Sequence, residues 1–222
     1  MEIIPNLHVI PSSIVNVYLT IDPDGLTLID TGLPGHAKKV LKYIAELGRK
    51  PTDLKRIIIT HADGDHVGAL AALKAATGAR AYANPIEANA IQAGRPSHEL
   101  KVRGALALFF KLMFSFFKAK PAAVDETLSD GQVLPVLGGL RVINTPGHTP
   151  GHISLYAPAA KILFCGDSMV TEKNGTLRCS RGMWDEDKAT ESVKVQAALG
   201  AEIVRSGHGP IVREANSKFP QV

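Results

Sequence analysis

The stretch Thr60-His61-Ala62-Asp63-Gly64-Asp65-His66 decides how the rest of the chain is read. It follows an apolar run, Ile57-Ile58-Ile59, and leads into a helix-like segment beginning Val67-Gly68-Ala69-Leu70. Two imidazoles and two carboxylates therefore crowd the end of an expected buried strand. Charge at that density is costly to bury unless it is paired or bound to metal. His61 and Asp63 are two residues apart, so on an extended turn they point the same way. Asp65 and His66 come where the chain bends into the helix and can face a second point. The arrangement suggests two neighbouring cations. The alternative at this stage is a polar loop capping a helix, with Asp63 or Asp65 as N-cap.

Working outward, apolar periodicity predicts strands at 7–10, 14–21, 26–29, 55–60 and 79–83, and helices at 37–47 and 70–76. Asp22-Pro23-Asp24-Gly25 reads as a turn, because Pro presets φ and Gly tolerates positive φ. The 26–29 strand ends in Asp30-Thr31-Gly32, where Asp30 is either a support for a metal ligand or a turn residue. Further strands are predicted at 133–136, 140–144, 153–157, 161–165 and 201–205, with a helix from Asp185 to Leu199. Strands alternating with helices predict a layered α/β domain.

Residues 85–124 break that rhythm and read as a helical insertion. Within it, 104–118 is apolar apart from a stripe of Lys111, Ser115 and Lys118, and it holds five of the seven Phe. A helix of that length spans roughly 20 Å, too short for a bilayer core of about 30 Å. It reads as a core or dimer helix, or as a hydrophobic lid with Phe109 and Phe110 over the site, in preference to a monotopic membrane contact.

A chain of 222 residues is most simply one domain. Its net charge of +4 is mild, and no Lys/Arg run or motif reads as a nucleic-acid footprint. Cys165 and Cys179 form neither a metal-type spacing nor a disulfide framework. The N-terminus lacks the basic start and apolar core of a signal peptide, so a cytoplasmic location is expected.

Further polar groups fall at strand ends. Asn144-Thr145-Pro146-Gly147-His148-Thr149-Pro150-Gly151-His152 follows one strand, Gly166-Asp167 ends another, and Ser206-Gly207-His208 follows the last. With Asp30 and the opening stretch, they hold five of the eight His. Taken in this order and spacing, the chain resembles the metallo-β-lactamase-fold superfamily from Asp30 to His208. The resemblance implies an αββα sandwich with a dinuclear site at the open edge of two sheets. It implies that His61, Asp63 and His148 hold a first metal, that Asp65, His66 and His208 hold a second, and that Asp167 bridges them. His152 and Asp30 would support these residues from behind. The implied cofactors are two divalent ions, zinc first, with iron or manganese as alternatives. The sequence departs from the common motif at Asp63, where the family usually has His; a carboxylate makes that site harder and favours iron or manganese.

The chemistry so implied is hydrolysis. Two cations about 3.5–4 Å apart lower the pKa of a shared water, and Asp65 would orient the resulting hydroxide and accept its proton. The expected substrate is a small molecule: an ester, thioester or lactone with an apolar part. Thr-Pro-Gly-His-Thr-Pro-Gly-His is similar to glyoxalase II-type enzymes, although the stretch after His208 is too short for their C-terminal helical extension. Val170 stands where many lactonases of this fold carry Tyr. β-Lactam or phosphodiester hydrolysis, and a flavodiiron-like redox domain without its flavin module, are the alternative expectations. No integral membrane span is expected, and the 104–118 helix is the candidate for a homodimer contact.

Overall fold

β1 (Glu2–Ile4) and β2 (Leu7–Ile10) open a computed structural model that describes residues 1–10, 12, 14–98, 119–180 and 183–221. β3 (Val17–Asp22) turns through Pro23-Asp24 into β4 (Gly25–Ile29), with Asp22 opposite Gly25. Gly25 has φ +139°, and a Cβ on it would come within 2.7 Å of the Asp53 carbonyl, so glycine is required in this turn. β5 (Leu54–Ile58), β6 (Arg80–Ala83) and β7 (Glu126–Thr127) continue the same sheet, and β4 through β7 are parallel. The seven strands lie in sequence order.

The second sheet has the order β15-β14-β11-β10-β9-β8. Its members are β8 (Val133–Leu134), β9 (Leu140–Asn144), β10 (Ile153–Ala157), β11 (Ile162–Gly166), β14 (Ile203–Ser206) and β15 (Val212–Arg213). Only β11 and β14 run parallel there; the other pairs are antiparallel. β12 (Met169–Thr171) and β13 (Leu177–Cys179) make a separate hairpin.

The run Ile57-Ile58-Ile59 shows why the layers form. Ile58 packs between the sheets with Leu7, Tyr18, Leu155 and Phe164. Ile57 and Ile59 face the other way, among residues of α1 (Ala37–Glu46), α3 (Leu70–Thr77) and α4 (Pro85–Ala93), such as Val40, Leu73 and Ile91. Side chains alternate across a strand, so a strand buried on both faces must be apolar throughout. In the second sheet Phe164 faces inward, while Leu163 and Cys165 pack outward with Val193 of α5 (Glu186–Ala197). Helices outside, two sheets inside: this is the expected αββα sandwich.

The expected 14–21 strand starts only at Val17, and the last expected strand, 201–205, is Ile203–Ser206. β1, β7, β12, β13 and β15 have no counterpart in the sequence reading, because two or three residues carry too little periodicity to register. The 104–118 helix, with Phe109 and Phe110, lies outside the described residues. Among those described, no helix is long and apolar enough to cross a membrane.

The inter-sheet core makes a direct prediction. Phe164 is essentially fully buried, its ring centroid 5.2 Å from that of Tyr18. Phe164→Ala should cost about 3–5 kcal/mol in urea unfolding. A loss under about 1 kcal/mol would mean that the sheets do not pack through this ring.

Candidate metal centre

Parallel pairing brings the polar strand ends together. β4 and β5 run side by side, so Asp30 at the end of one meets Thr60 and His61 beyond the other. β11 and β14 do the same in the second sheet, bringing Asp167 beside the Ser206-Gly207-His208 turn. Each sheet thus offers the carboxyl ends of parallel strands to one edge of the sandwich, where loops are free to carry function.

Asp63 is the backbone N-cap of α2 (Gly64–Val67), but its side chain makes no capping bond. Its Oδ2 instead lies 3.2 Å from His148 Nε2 and 3.6 Å from His61 Nε2. The capping alternative therefore describes the backbone of Asp63 and not its carboxylate. Asp65 Oδ2 lies 3.4 Å from His208 Nε2 and 3.9 Å from His66 Nε2. Asp167 stands between the groups: Oδ1 is 3.4 Å from His66 Nε2, and Oδ2 is 3.1 Å from His208 Nε2 and 3.9 Å from His148 Nε2. Ligand-type atoms of His61, Asp63 and His148 all lie within 4.8 Å of one another, and so do those of Asp65, His66 and His208.

The tautomers follow from what each Nδ1 meets. His66 Nδ1–H donates to Asp30 Oδ2 at 2.9 Å, and His208 Nδ1–H to the Ile14 carbonyl at 2.7 Å. His61 Nδ1 lies 2.9 Å from Thr60 Oγ1, whose hydroxyl is itself 2.9 Å from Asp30 Oδ2. With the Thr60 proton committed to the carboxylate, His61 Nδ1–H donates to Thr60. Nε2 of His61 and His66 is buried and makes no hydrogen bond among the described residues; what faces each is a carboxylate oxygen, Asp63 Oδ2 at 3.6 Å and Asp167 Oδ1 at 3.4 Å. A buried nitrogen without a hydrogen bond is costly, and one set among carboxylate oxygens is a natural ligand for an ion.

His152 is differently placed. Its Nε2 accepts the Asp167 N–H at 3.1 Å and its Nδ1 donates to Thr145 Oγ1 at 2.8 Å, so both nitrogens are engaged. It holds the backbone of Asp167 rather than facing the cluster. Glycine keeps the cluster tight: a Cβ on Gly207 would run into Asp167 Oδ1 and come 2.6 Å from His66 Cε1.

Electrostatics divides the imidazoles. Burial, then His66 and His148, hold His61 well below its ordinary pKa. Burial also works against His66, but Asp167, Asp30 and Asp65 outweigh it and push its pKa well up. Burial opposes protonation of His208 too, yet Asp167 and Asp65 raise it to about 10. Burial, then His148, takes His152 down to about 3. Asp167 is held well below the carboxylate range, since His66 and His208 override the effect of its burial. Protons on His66 and His208 thus balance the carboxylates around them.

The metallo-beta-lactamase superfamily model matches residues 11–208. The chain belongs to that superfamily. Its members are metal-dependent hydrolases that bind divalent ions, often zinc, and the chain is an enzyme of that class. It is 28% identical to the probable metallo-hydrolase YflN of Bacillus subtilis (strain 168), over 94% of this chain and 85% of that protein. It is 34% identical to a hydroxyacylglutathione hydrolase of Pseudomonas aeruginosa (strain LESB58) over 65% of this chain, and the match spans only 43% of that relative. Among solved structures, TTHA1623 in a di-iron-bound form superposes with a TM-score of 0.71 at 27% identity, covering 94% of this chain and 95% of that one.

Sequence reasoning brought forward the seven clustered residues, with Asp30 and His152 behind them, but missed those that hold their loops. Glu87, fully buried on α4, accepts from Ala62, Thr149 and Gly151. Gln196 of α5 accepts from Ser154 and Ser168, next to Asp167. A lone carboxylate in the Ala/Ile-rich 85–93 segment was the available signal for Glu87; Gln196 had none.

In chelator-stripped protein, His208 should stay protonated through pH 8 and His152 should stay neutral down to about pH 4, as followed by imidazole NMR. Because the folded pKa of His208, about 10, lies above the ordinary 6.5, its contribution to stability is full below pH 6.5 and lost as pH rises through 10. A His208 midpoint near 6.5 would contradict the pairing with Asp167 and Asp65.

Proposed function

We propose that the chain hydrolyses an ester, thioester or lactone with an apolar part, using two divalent ions, and that residues 1–222 act as one catalytic unit. His61, Asp63 and His148 would hold the first ion, and Asp65, His66 and His208 the second. Asp167 would bridge them, its Oδ1 lying 3.4 Å from His66 of the second cluster and its Oδ2 3.9 Å from His148 of the first. The observation that carries the reading is the set of two three-residue clusters joined by a third, His61, His66 and Asp167, with buried His Nε2 atoms that make no hydrogen bond among the described residues. When bound, the ions supply a Lewis acid that lowers the pKa of water and polarises the scissile carbonyl.

The chain's own groups do the rest. Asp65, held as a carboxylate by His66 and His208 despite its burial, is the group to orient the attacking water and take its proton at Oδ2. Asp30 and the Ile14 carbonyl fix the tautomers of His66 and His208. Cys165 is no nucleophile: it is buried, and burial pushes its thiol up to about 12. The Ile14 carbonyl bonds His208 Nδ1, and the Trp184 backbone N–H bonds the His148 carbonyl. The likeness to a hydroxyacylglutathione hydrolase favours a thioester among the three bonds.

Zinc is the first choice of ion. Iron is the second reading, favoured by the Asp63 carboxylate and by the likeness to a protein solved with two irons. Elemental analysis of purified protein, with a panel of esters, thioesters, lactones, β-lactams and phosphodiesters, tests both choices. Two ions per chain and turnover of an acyl substrate are expected. His66→Ala should retain one ion, keep the fold by circular dichroism and lose most hydrolysis. Wild-type turnover by that variant would argue against the two-ion reading.

A further inference from the structure

We propose that Glu87 is a positioning residue: it sets the spacing between the two loops of the first ion site and thereby that site's affinity. The inference rests on the ligand assignment proposed above. Glu87 sits in the first turn of α4 and is fully buried. Its Oε2 accepts the Ala62 N–H at 2.8 Å, and Ala62 lies between His61 and Asp63. Its Oε1 accepts the Thr149 hydroxyl at 2.8 Å and the Gly151 N–H at 2.9 Å, both in the loop that follows His148. One carboxylate thus ties the segment carrying two residues of the cluster to the segment carrying the third.

An ionised group in this position is costly without partners, and here three neutral donors satisfy it. Gly151 makes the close approach feasible, since a Cβ there would come 2.7 Å from Asn84 Oδ1 and 2.9 Å from Glu87 Oε1. Among the described residues Glu87 makes no hydrogen bond to the Asp65, His66 and His208 group, whose imidazoles are held by Asp30 and the Ile14 carbonyl. Loss of its carboxylate should therefore act on one ion and not the other. A purely structural role would lower stability without separating the two.

Glu87→Gln keeps the shape but has only one oxygen. Its NH2 must face either the Ala62 N–H or the Gly151 N–H, so one loop loses its acceptor. The test is a calorimetric titration of chelator-stripped protein with Zn²⁺, in the wild type and in Glu87→Gln. His66→Ala and His148→Ala backgrounds assign the two binding steps. The first-site affinity should fall about 10–100-fold, as for other residues that orient ligands, with the second site unchanged. Thr149→Val, which removes one donor to Oε1, should weaken the same step by less and carries the test if Glu87→Gln does not fold. Affinities unchanged from wild type at both sites, or equal weakening of both, would overturn the role of Glu87 while leaving the two-ion reading intact. A wild-type protein that takes up no Zn²⁺ would overturn both.

Discussion

A carboxylate removed from water organises this edge of the molecule. Asp30 adopts φ +59°, a conformation uncommon for a residue with a Cβ, and turns its side chain under the cluster. There it accepts from the Thr60 N–H, the Thr60 hydroxyl and His66 Nδ1. Through the Thr60 hydroxyl it also reaches His61. One anion therefore keeps the N–H of two imidazoles on their inner nitrogens, accepting that of His66 directly and orienting Thr60 to accept that of His61, and turns their outer nitrogens toward the cluster. Without it, the buried hydroxyl and ring N–H groups would lack acceptors, and the tautomers facing the cluster would be undetermined. His152 shows the contrasting case. The Asp167 N–H occupies its Nε2, so an equally buried histidine supports the loop instead.

The parallel pairs of the two sheets explain why the groups meet at all. β4 beside β5 and β11 beside β14 bring four chain segments out at one edge. The apolar strands are covered on both faces by helices and by the opposite sheet, so the edge they present is rigid. Glu87 then ties the two loops of one half of the cluster, and Gln196 braces the residues behind the other. The general chemistry belongs to this edge.

Much of this was legible in the sequence because it is local. The Ile57-Ile58-Ile59 run announced a strand buried on both faces, and the spacing of His61, Asp63, Asp65 and His66 announced two facing groups. Asp22-Pro23-Asp24-Gly25 announced its hairpin. What was not legible acts across the chain. Glu87 reaches Ala62 and Gly151, 25 and 64 residues away in sequence, and no periodicity encodes such a bond. The short edge strands escaped for the opposite reason: two residues such as Val212–Arg213 carry too little pattern. Asp63 was ambiguous from spacing alone, since an N-cap and a ligand share its residue type. Only the direction of its side chain, toward His148, distinguishes the two.

In the function proposed above, seven side chains close around a pair of ions. Anomalous diffraction from crystals grown with zinc or iron tests it most directly. The account predicts two peaks about 3.5–4 Å apart, one among His61, Asp63 and His148 and the other among Asp65, His66 and His208, with Asp167 between them. A single peak, or none at this edge, would contradict it.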